Sequence, residues 1–264
     1  MKYPAGLAFS VAVAMAVPSD LLSGESDSAI ASAMEKLGAK ITRDEKSGAI
    51  RTISFQPAVD QGKPVLKGEI YQKAESANAT VKQAATLKSL KSLALSFTKI
   101  TDTGLKPLAR HKTLEELILF STNISDDGLG VMPSLEKLDY LDLGATKIND
   151  AGLKELIACK RLQSLSLNNT KATDAGLKSV VQIERLRRLF LVYTGVTDEG
   201  LKELATLKQL TDLDLRNTKV SDLGLEHLAV LENLARLSLE DTEVTEAGVA
   251  KLQKALPKCS ISVK

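Results

Sequence analysis

Seven acidic side chains recur at one constant interval: Asp102, Asp126, Asp150, Asp174, Asp198, Asp222 and Glu246. A column of carboxylates at constant pitch is an arrangement that could hold a row of cations. The residue before each acid is Thr101, Ser125, Asn149, Thr173, Thr197, Ser221 or Thr245. Those are the types that cap helix N-termini, and an acid in the first turn meets the positive end of the helix dipole. Helix starts account for every acid locally, so capping is preferred to a metal ladder. His111 and His227 lie nearly five repeats apart and cannot share a metal, and no cysteine spacing suits zinc. Cys159 and Cys259 are about four repeats apart, roughly 20 Å at about 4.8 Å per repeat, too far for a disulfide, which needs Cα atoms within about 7 Å. They read as small buried thiols. A hydrolase needs convergent partners around a nucleophile or base, and neither histidine has a motif around it. No catalytic, cofactor-binding or metal-binding residue is assigned.

The elements that position these residues follow from the same period. One unit reads Leu90-x-x-Leu93-x-Leu95-x-x-Thr98-x-Ile100-Thr101-Asp102-x-Gly104-Leu105-x-x-Leu108, and seven copies run without insertion or deletion. Leu93 and Leu95 alternate, which predicts a short strand with both leucines on one side. Strands repeated at this period must pair in parallel, and units of this size bury a core only against their neighbours. Thr98 and its equivalents stand where the chain leaves the strand, and their hydroxyls can satisfy backbone groups that the turn leaves unpaired, stacked copies forming a ladder. Ile100 before the cap and Leu105 in the fourth helical position form a hydrophobic staple. Gly104 in a first helical turn costs up to about 1 kcal/mol against Ala, and its recurrence predicts that a Cβ would clash with the adjoining turn or repeat. Pro107 should shorten or distort the first helix.

Outside the regular repeats, the chain divides as follows. Residues 1–16 read as a signal peptide: Lys2, an apolar run from Leu7 to Val17 too short to span a bilayer, and Ala14-Met15-Ala16 as a cleavage site. The alternative is a buried N-terminal helix or strand. Residues 17–65 read as an N-terminal cap. Ser26-Asp27-Ser28 starts a helix carrying Ile30, Met34 and Leu37, Gly38 stops it, and strands near Ile41 and Ile50–Phe55 flank a turn at residues 44–48. Residues 66–89 are a degenerate repeat, with Asn78 one full period before Asp102, Tyr71 in a core position and a helix over residues 77–85. Residues 90–257 hold the seven repeats, and residues 258–264 a terminal strand with Ile261 and Val263 in register with Leu237 and Leu239.

Composition narrows the function classes. Charged residues make up 26% of the chain and the formal net charge is +2, so bulk attraction to nucleic acid is not indicated. Aromatics are 3% and Trp is absent, so the core must be aliphatic. No second segment is apolar enough to cross a membrane. The sequons at Asn78, Asn123 and Asn168 matter only in a eukaryotic secretory route.

The repeat resembles a leucine-rich repeat. More narrowly, it resembles those of exported proteins of planctomycete-like bacteria, similar to the cysteine-containing class of F-box substrate receptors, with threonine here in place of that class's cysteine. The resemblance implies an α/β solenoid: a right-handed arc with a concave parallel β-sheet, short convex helices and an N-terminal helix and hairpin as cap. It implies protein binding and no catalytic residues.

The residues between the core leucines face the open side of the sheet and vary from repeat to repeat while the leucines do not. Five aromatics fall on that face or its edge: Phe97, Phe120, Tyr140, Phe190 and Tyr193. Exposed aromatics are common interface anchors. With Asp142, Arg188, Asp214 and Arg216 they are the candidate partner-binding residues. The competing reading is that the rings shield the sheet or pack on one another. The cluster Arg185, Arg187 and Arg188 reads as a solvated edge in preference to an anion site. The expected function is an exported, non-enzymatic scaffold that recognises a protein partner on the concave face; the alternative is a structural or assembly component of the cell envelope.

Overall fold

The computed structural model describes residues 26–60, 63–66 and 68–263; the segment read as a signal peptide lies outside them. Helix α1, Asp27–Lys36, buries Ile30, Ala31 and Met34. It ends at Gly38, whose φ of +93° lies in the left-handed region that glycine adopts without strain. Strands β1, Lys40–Arg43, and β2, Ile50–Ser54, pair antiparallel around a turn in which Asp44 accepts the amides of Lys46 and Ser47. A small hairpin of β3, Ala58–Asp60, and β4, Lys63–Val65, follows.

The main sheet has ten strands in the order β1-β2-β5-β6-β7-β8-β9-β10-β11-β12. The repeats supply β5 Ser92–Ala94, β6 Glu116–Ile118, β7 Tyr140–Asp142, β8 Ser164–Ser166, β9 Arg188–Phe190, β10 Asp212–Asp214, β11 Arg236–Ser238 and β12 Ser260–Ser262. They pair in parallel at a constant register in which Leu93, Leu117, Leu141, Leu165, Leu189, Leu213, Leu237 and Ile261 are aligned. These leucines and their partners at Leu95, Leu119, Leu143, Leu167, Leu191, Leu215 and Leu239 form a nearly all-aliphatic core with the staple residues Ile100 and Leu105.

The degenerate repeat contributes no strand to this sheet. Where its strand would lie, β2 pairs in parallel with β5, with Ile53 against Leu93. Residues Glu69–Tyr71 instead form a 3-10 turn that buries Ile70 and Tyr71, and helix α2 covers Ala74–Ala84, starting three residues before the expected helix. The hairpin thus covers the end of the core with its own strand.

The helical side is more varied than a uniform repeat predicts. Helix α3, Asp102–Leu105, gives way to a 3-10 segment at Lys106–Arg110, where Pro107 removes a helical donor. The next two units are 3-10 throughout, Asp126–Ser134 with Pro133 inside, and Gly152–Ala158. Regular helices return as α4 Asp174–Val180, α5 Asp198–Leu204, α6 Asp222–Leu228 and α7 Glu246–Ala255.

The acids do more than face a helix dipole. The carboxylate of Asp174 accepts the backbone amide of Thr197 at 2.8 Å and its hydroxyl at 2.7 Å, in the following repeat. The same two bonds join Asp102 to Ser125, Asp150 to Thr173, Asp198 to Ser221 and Asp222 to Thr245. Asp126 makes the amide bond to Asn149 at 3.0 Å. Asn78 takes the same place in the degenerate repeat, bonding Thr101 through its amide group. A Cβ on Gly152, Gly176, Gly200, Gly224 or Gly248 would collide with the Oδ1 of the acid in the preceding repeat. The glycine is therefore the opening through which each carboxylate reaches its neighbour.

The threonine hydroxyls satisfy the backbone of the turn, as their position predicts. Each hydroxyl bonds within its own turn, from Thr98 to the Leu95 carbonyl at 2.7 Å and from Thr146 to Leu143 at 2.5 Å, with the same bond at the other five. It closes a turn whose preceding residue has positive φ: Phe97, Ser121, Ala145, Asn169, Tyr193, Asn217 and Asp241, between +52° and +64°. Asn and Asp tolerate that conformation; the other side chains there are strained by about 1–2 kcal/mol each. Both cysteines are buried and unpaired, and burial pushes the Cys159 thiol up to about 12. His111 is buried too. Its Nε2 lies 3.1 Å from the Leu87 carbonyl of the preceding repeat, and its Nδ1 has no partner among the described residues.

Three outcomes follow for stability. Asp174→Ala should lower the unfolding free energy by about 1–3 kcal/mol by orphaning the Thr197 donors, read from urea denaturation; an unchanged midpoint would show that the bond between repeats is dispensable. Ala145→Asn should raise stability by about 1 kcal/mol, since Asn is at ease at positive φ, read the same way. Burial holds the His111 imidazole below the ordinary histidine value of 6.5, with the Leu87 bond opposing the shift. The unfolded chain takes up that proton first, so stability present above 6.5 should be lost progressively as pH falls below that value. His111→Asn should flatten that part of the pH–stability curve.

Candidate functional site

Side chains alternate along each strand, so Leu93 and its equivalents enter the core while the flanking residues stand on the open face. In register, one row across that face reads Ser92, Glu116, Tyr140, Ser164, Arg188, Asp212 and Arg236. The next reads Ala94, Ile118, Asp142, Ser166, Phe190, Asp214 and Ser238.

The candidate residues gather into three groups on this face. At the cap-proximal end, the Phe97 and Phe120 rings meet edge to face, 5.4 Å between centroids and 70° between planes. Phe97 also packs on the core, so it is half-buried and part of its ring serves the fold. Phe120 leans toward the next strand, where a Cβ on Gly144 would fall 2.7 Å from its Cδ2.

In the middle, Tyr140 and Asp142 are half-buried. Burial, and next the nearby Asp142 and Glu116 carboxylates, push the Tyr140 hydroxyl above its ordinary value. Burial likewise raises the Asp142 carboxyl, opposed by the Gly144 amide that donates to it at 2.8 Å and by a Ser166 hydrogen bond. Ser164 beside them is fully buried, and its Oγ has no hydrogen-bond partner among the described residues.

The third group spans the far half. Arg188 is exposed, Phe190 half-buried, and Tyr193 stands 63% exposed at the strained turn position. Asp214 is buried beneath Arg216, whose Nη2 lies 2.7 Å and Nε 3.1 Å from its Oδ2, Nε also lying 2.9 Å from its Oδ1. Arg216 also approaches Glu240 at 4.0 Å, and Arg236 pairs with Asp212. The Asp214 and Arg216 pair is thus joined to itself, whereas Phe120 and Phe190 stand three strands apart.

Sequence reasoning did not find the strained backbone under Phe97 and Tyr193, or the ion pairs that run across strands. The first left a trace: three of the seven residues before the recurring threonine are Asn or Asp, the types that accept positive φ. Away from this face a shallow hollow lies between α6 and α7, lined by Asp222, Leu225, Glu226, Gly248, Lys251 and Leu252. The acids that recur once per repeat are occupied by the bonds between repeats, and among the described residues no three His, Cys, Asp or Glu side chains gather as a metal-holding group.

Comparison with known proteins bears on the fold. A family model described as Leucine Rich repeat matches residues 86–109, 110–132 and 207–229. None of the curated proteins matches the chain. Among solved structures, an internalin C2 from Listeria monocytogenes str. 4b F2365 is similar with a TM-score of 0.58 and 24% identity, covering 89% of this chain and 93% of its own. An internalin (inlF) from the same organism is similar over 69% of this chain and 63% of its own, with 21% identity and a TM-score of 0.44. One parallel sheet built at a constant period, short helices on its far side, the family match in three of its repeats and the internalin C2 likeness agree: the chain is a leucine-rich repeat solenoid.

Proposed function

We propose that this protein is an exported, non-enzymatic scaffold that recognises a protein partner on the concave face of its sheet. The observation that carries the reading is the contrast between the two sides of one strand. The core side is leucine or isoleucine in every aligned strand, from Ile53 on β2 to Ile261 on β12, while the open side changes from repeat to repeat and places Phe120, Phe190 and Tyr193 at or near solvent. A fixed backbone with a variable, aromatic-bearing surface is the composition of an interface. Export is supported by the sequence of residues 1–16; no helix among the described residues is long and apolar enough to cross a membrane. The Ile-Thr-Asp-x-Gly-Leu segment supports a place near the cysteine-containing class of repeats.

A second reading, an assembly component of the envelope, draws on a different surface. Leu223 on α6 and Val230 just after it are 70% and 48% exposed on the helical side. The two separate by substitution. Crosslinking of the tagged chain in envelope fractions of its source organism should give a discrete adduct. The triple change Phe120→Ala, Phe190→Ala, Tyr193→Ala should abolish it, whereas Leu223→Ser with Val230→Ser should leave it. The reverse pattern would assign function to the helical side.

A further inference from the structure

Strand β9 presents a different surface from its neighbours. Arg188 and Phe190 flank the fully buried Leu189 and so share the open face, and Val192 and Tyr193 continue the line. On β8 the aligned residues are only Ser164 and Ser166, with Asn168 next, and on β7 Asp142 is followed by Gly144. Small residues beside large ones make a trough. Phe120 overhangs it on one side, Phe190 and Tyr193 bound it on the other, and Tyr140 stands at one end. Strands β6 and β9 are three spacings apart, roughly 14 Å at about 4.8 Å each, room for one extended chain with its side chains.

Most charges of this face are satisfied from within; Glu240 is an exception, its buried Oε2 lacking a hydrogen-bond partner among the described residues and lying 4.0 Å from Arg216. Glu116 accepts from Ser92 at 2.5 Å and Asp142 from the Gly144 amide. Asp212, the register neighbour of Arg188, is taken by Arg236 and by the Thr211 hydroxyl, and Asp214 by Arg216. Arg188 has no carboxylate partner among the described residues, and it stands beside the buried, unpartnered Ser164 hydroxyl. One cation is therefore left over at the rim of an apolar-walled trough. Further along the same open face Tyr193 is 63% exposed, on the turn backbone that recurs in every repeat.

We infer that β9 is the anchor strand for an extended, acidic and apolar segment of the protein partner. Arg188 takes a carboxylate of that segment, in the forked geometry a guanidinium offers. Phe190 and Tyr193 take an apolar side chain a few residues away. The inference rests on the protein-binding reading of the open face and adds the chemistry of what binds there.

The probe is a random twelve-residue peptide library on phage, panned against the immobilised full chain. The wild type should enrich peptides with Asp or Glu near an aromatic or aliphatic residue. Arg188→Glu should shift that position to Lys or Arg. A synthetic copy of the leading acidic peptide should bind Arg188→Glu weaker by on the order of tenfold or more, and Arg188→Gln should lose the acid preference. Arg188 is exposed and unpaired, so both variants should unfold at the wild-type temperature. Identical enrichment by wild type and Arg188→Glu, or no enrichment at all, would overturn the assignment. If Phe120→Ala and Phe190→Ala abolish peptide binding while no acid is preferred, only the role of Arg188 falls. If those changes leave binding intact, the reading of the open face falls with it.

Discussion

The bond between an acid in one repeat and the cap of the next is the constraint on which the solenoid depends. A single repeat cannot close a core by itself; its leucines are buried only when the neighbours stand at one spacing and one rotation. Strand pairing fixes that relation on the sheet side through evenly spaced bonds. On the other side, helices as different as α4 and the 3-10 segment at Gly152–Ala158 must be held to the same pitch. The carboxylate of Asp150 does this between those two, with both of its oxygens on Thr173 at 2.7 Å. Because one oxygen takes the amide and the other the hydroxyl, the contact sets an orientation as well as a distance. The glycine of the following repeat is the complement of that bond, since a methyl group at Gly176 would occupy the space of the Asp150 oxygen. The acid and the glycine are thus one device, and they recur together because neither works without the other.

The end of the stack shows the same logic in altered form. The degenerate repeat gives up its strand, and β2 supplies one from the hairpin. It keeps its clasp, with Asn78 bonding Thr101, although Asn78 now lies inside α2 and not in a first turn. Strand identity was exchangeable; the connection between helical layers was not. The opposite edge of the hairpin, β1, carries Lys40 and Arg43 and a register irregularity next to Arg43, features that discourage further pairing at a sheet edge.

Much of this was legible in the sequence because it is periodic. The leucine alternation, the helix starts, the glycine clash, the effect of Pro107 and the helix-and-hairpin cap all follow from local pattern, although of the cap residues Thr173, Ser221 and Thr245 accept a first-turn amide while Thr101, Ser125 and Thr197 do not. What was not legible depends on how repeats sit on one another. An acid beside a Thr or Ser is adequately explained by a helix start, and nothing in one repeat shows that its oxygens reach 23 residues ahead. The threonine hydroxyl, by contrast, bonds in its own turn, three residues back, and that role could be read from its position where the chain leaves the strand. On the open face the sequence could place residues in rows but could not say which would spend themselves on each other. Asp214 and Arg216 look like two recognition residues in a list and are one ion pair in space, with the carboxylate buried and the guanidinium exposed over it.

For the proposed protein-binding reading, that distinction decides where recognition can lie on the sheet. A charged residue already paired offers a partner little, because displacing its companion costs about as much as the new contact returns. By that measure the repeats after β9 are largely closed, with Asp212 paired to Arg236 and Asp214 to Arg216, although the buried Glu240 Oε2 has no hydrogen-bond partner among the described residues. The first repeats are partly closed as well, since Phe97 and Phe120 hold each other and Phe97 leans on the core. The open valences of the face, polar and apolar together, converge on the middle of the arc, where the floor is serine and glycine and the wall is β9. A scaffold whose every repeat is locked to the next has little freedom to mould itself to a partner, so selectivity must come from side chains that the scaffold leaves uncommitted. On the proposed reading those side chains are Arg188 and Phe190 on β9 and Tyr193 just after it.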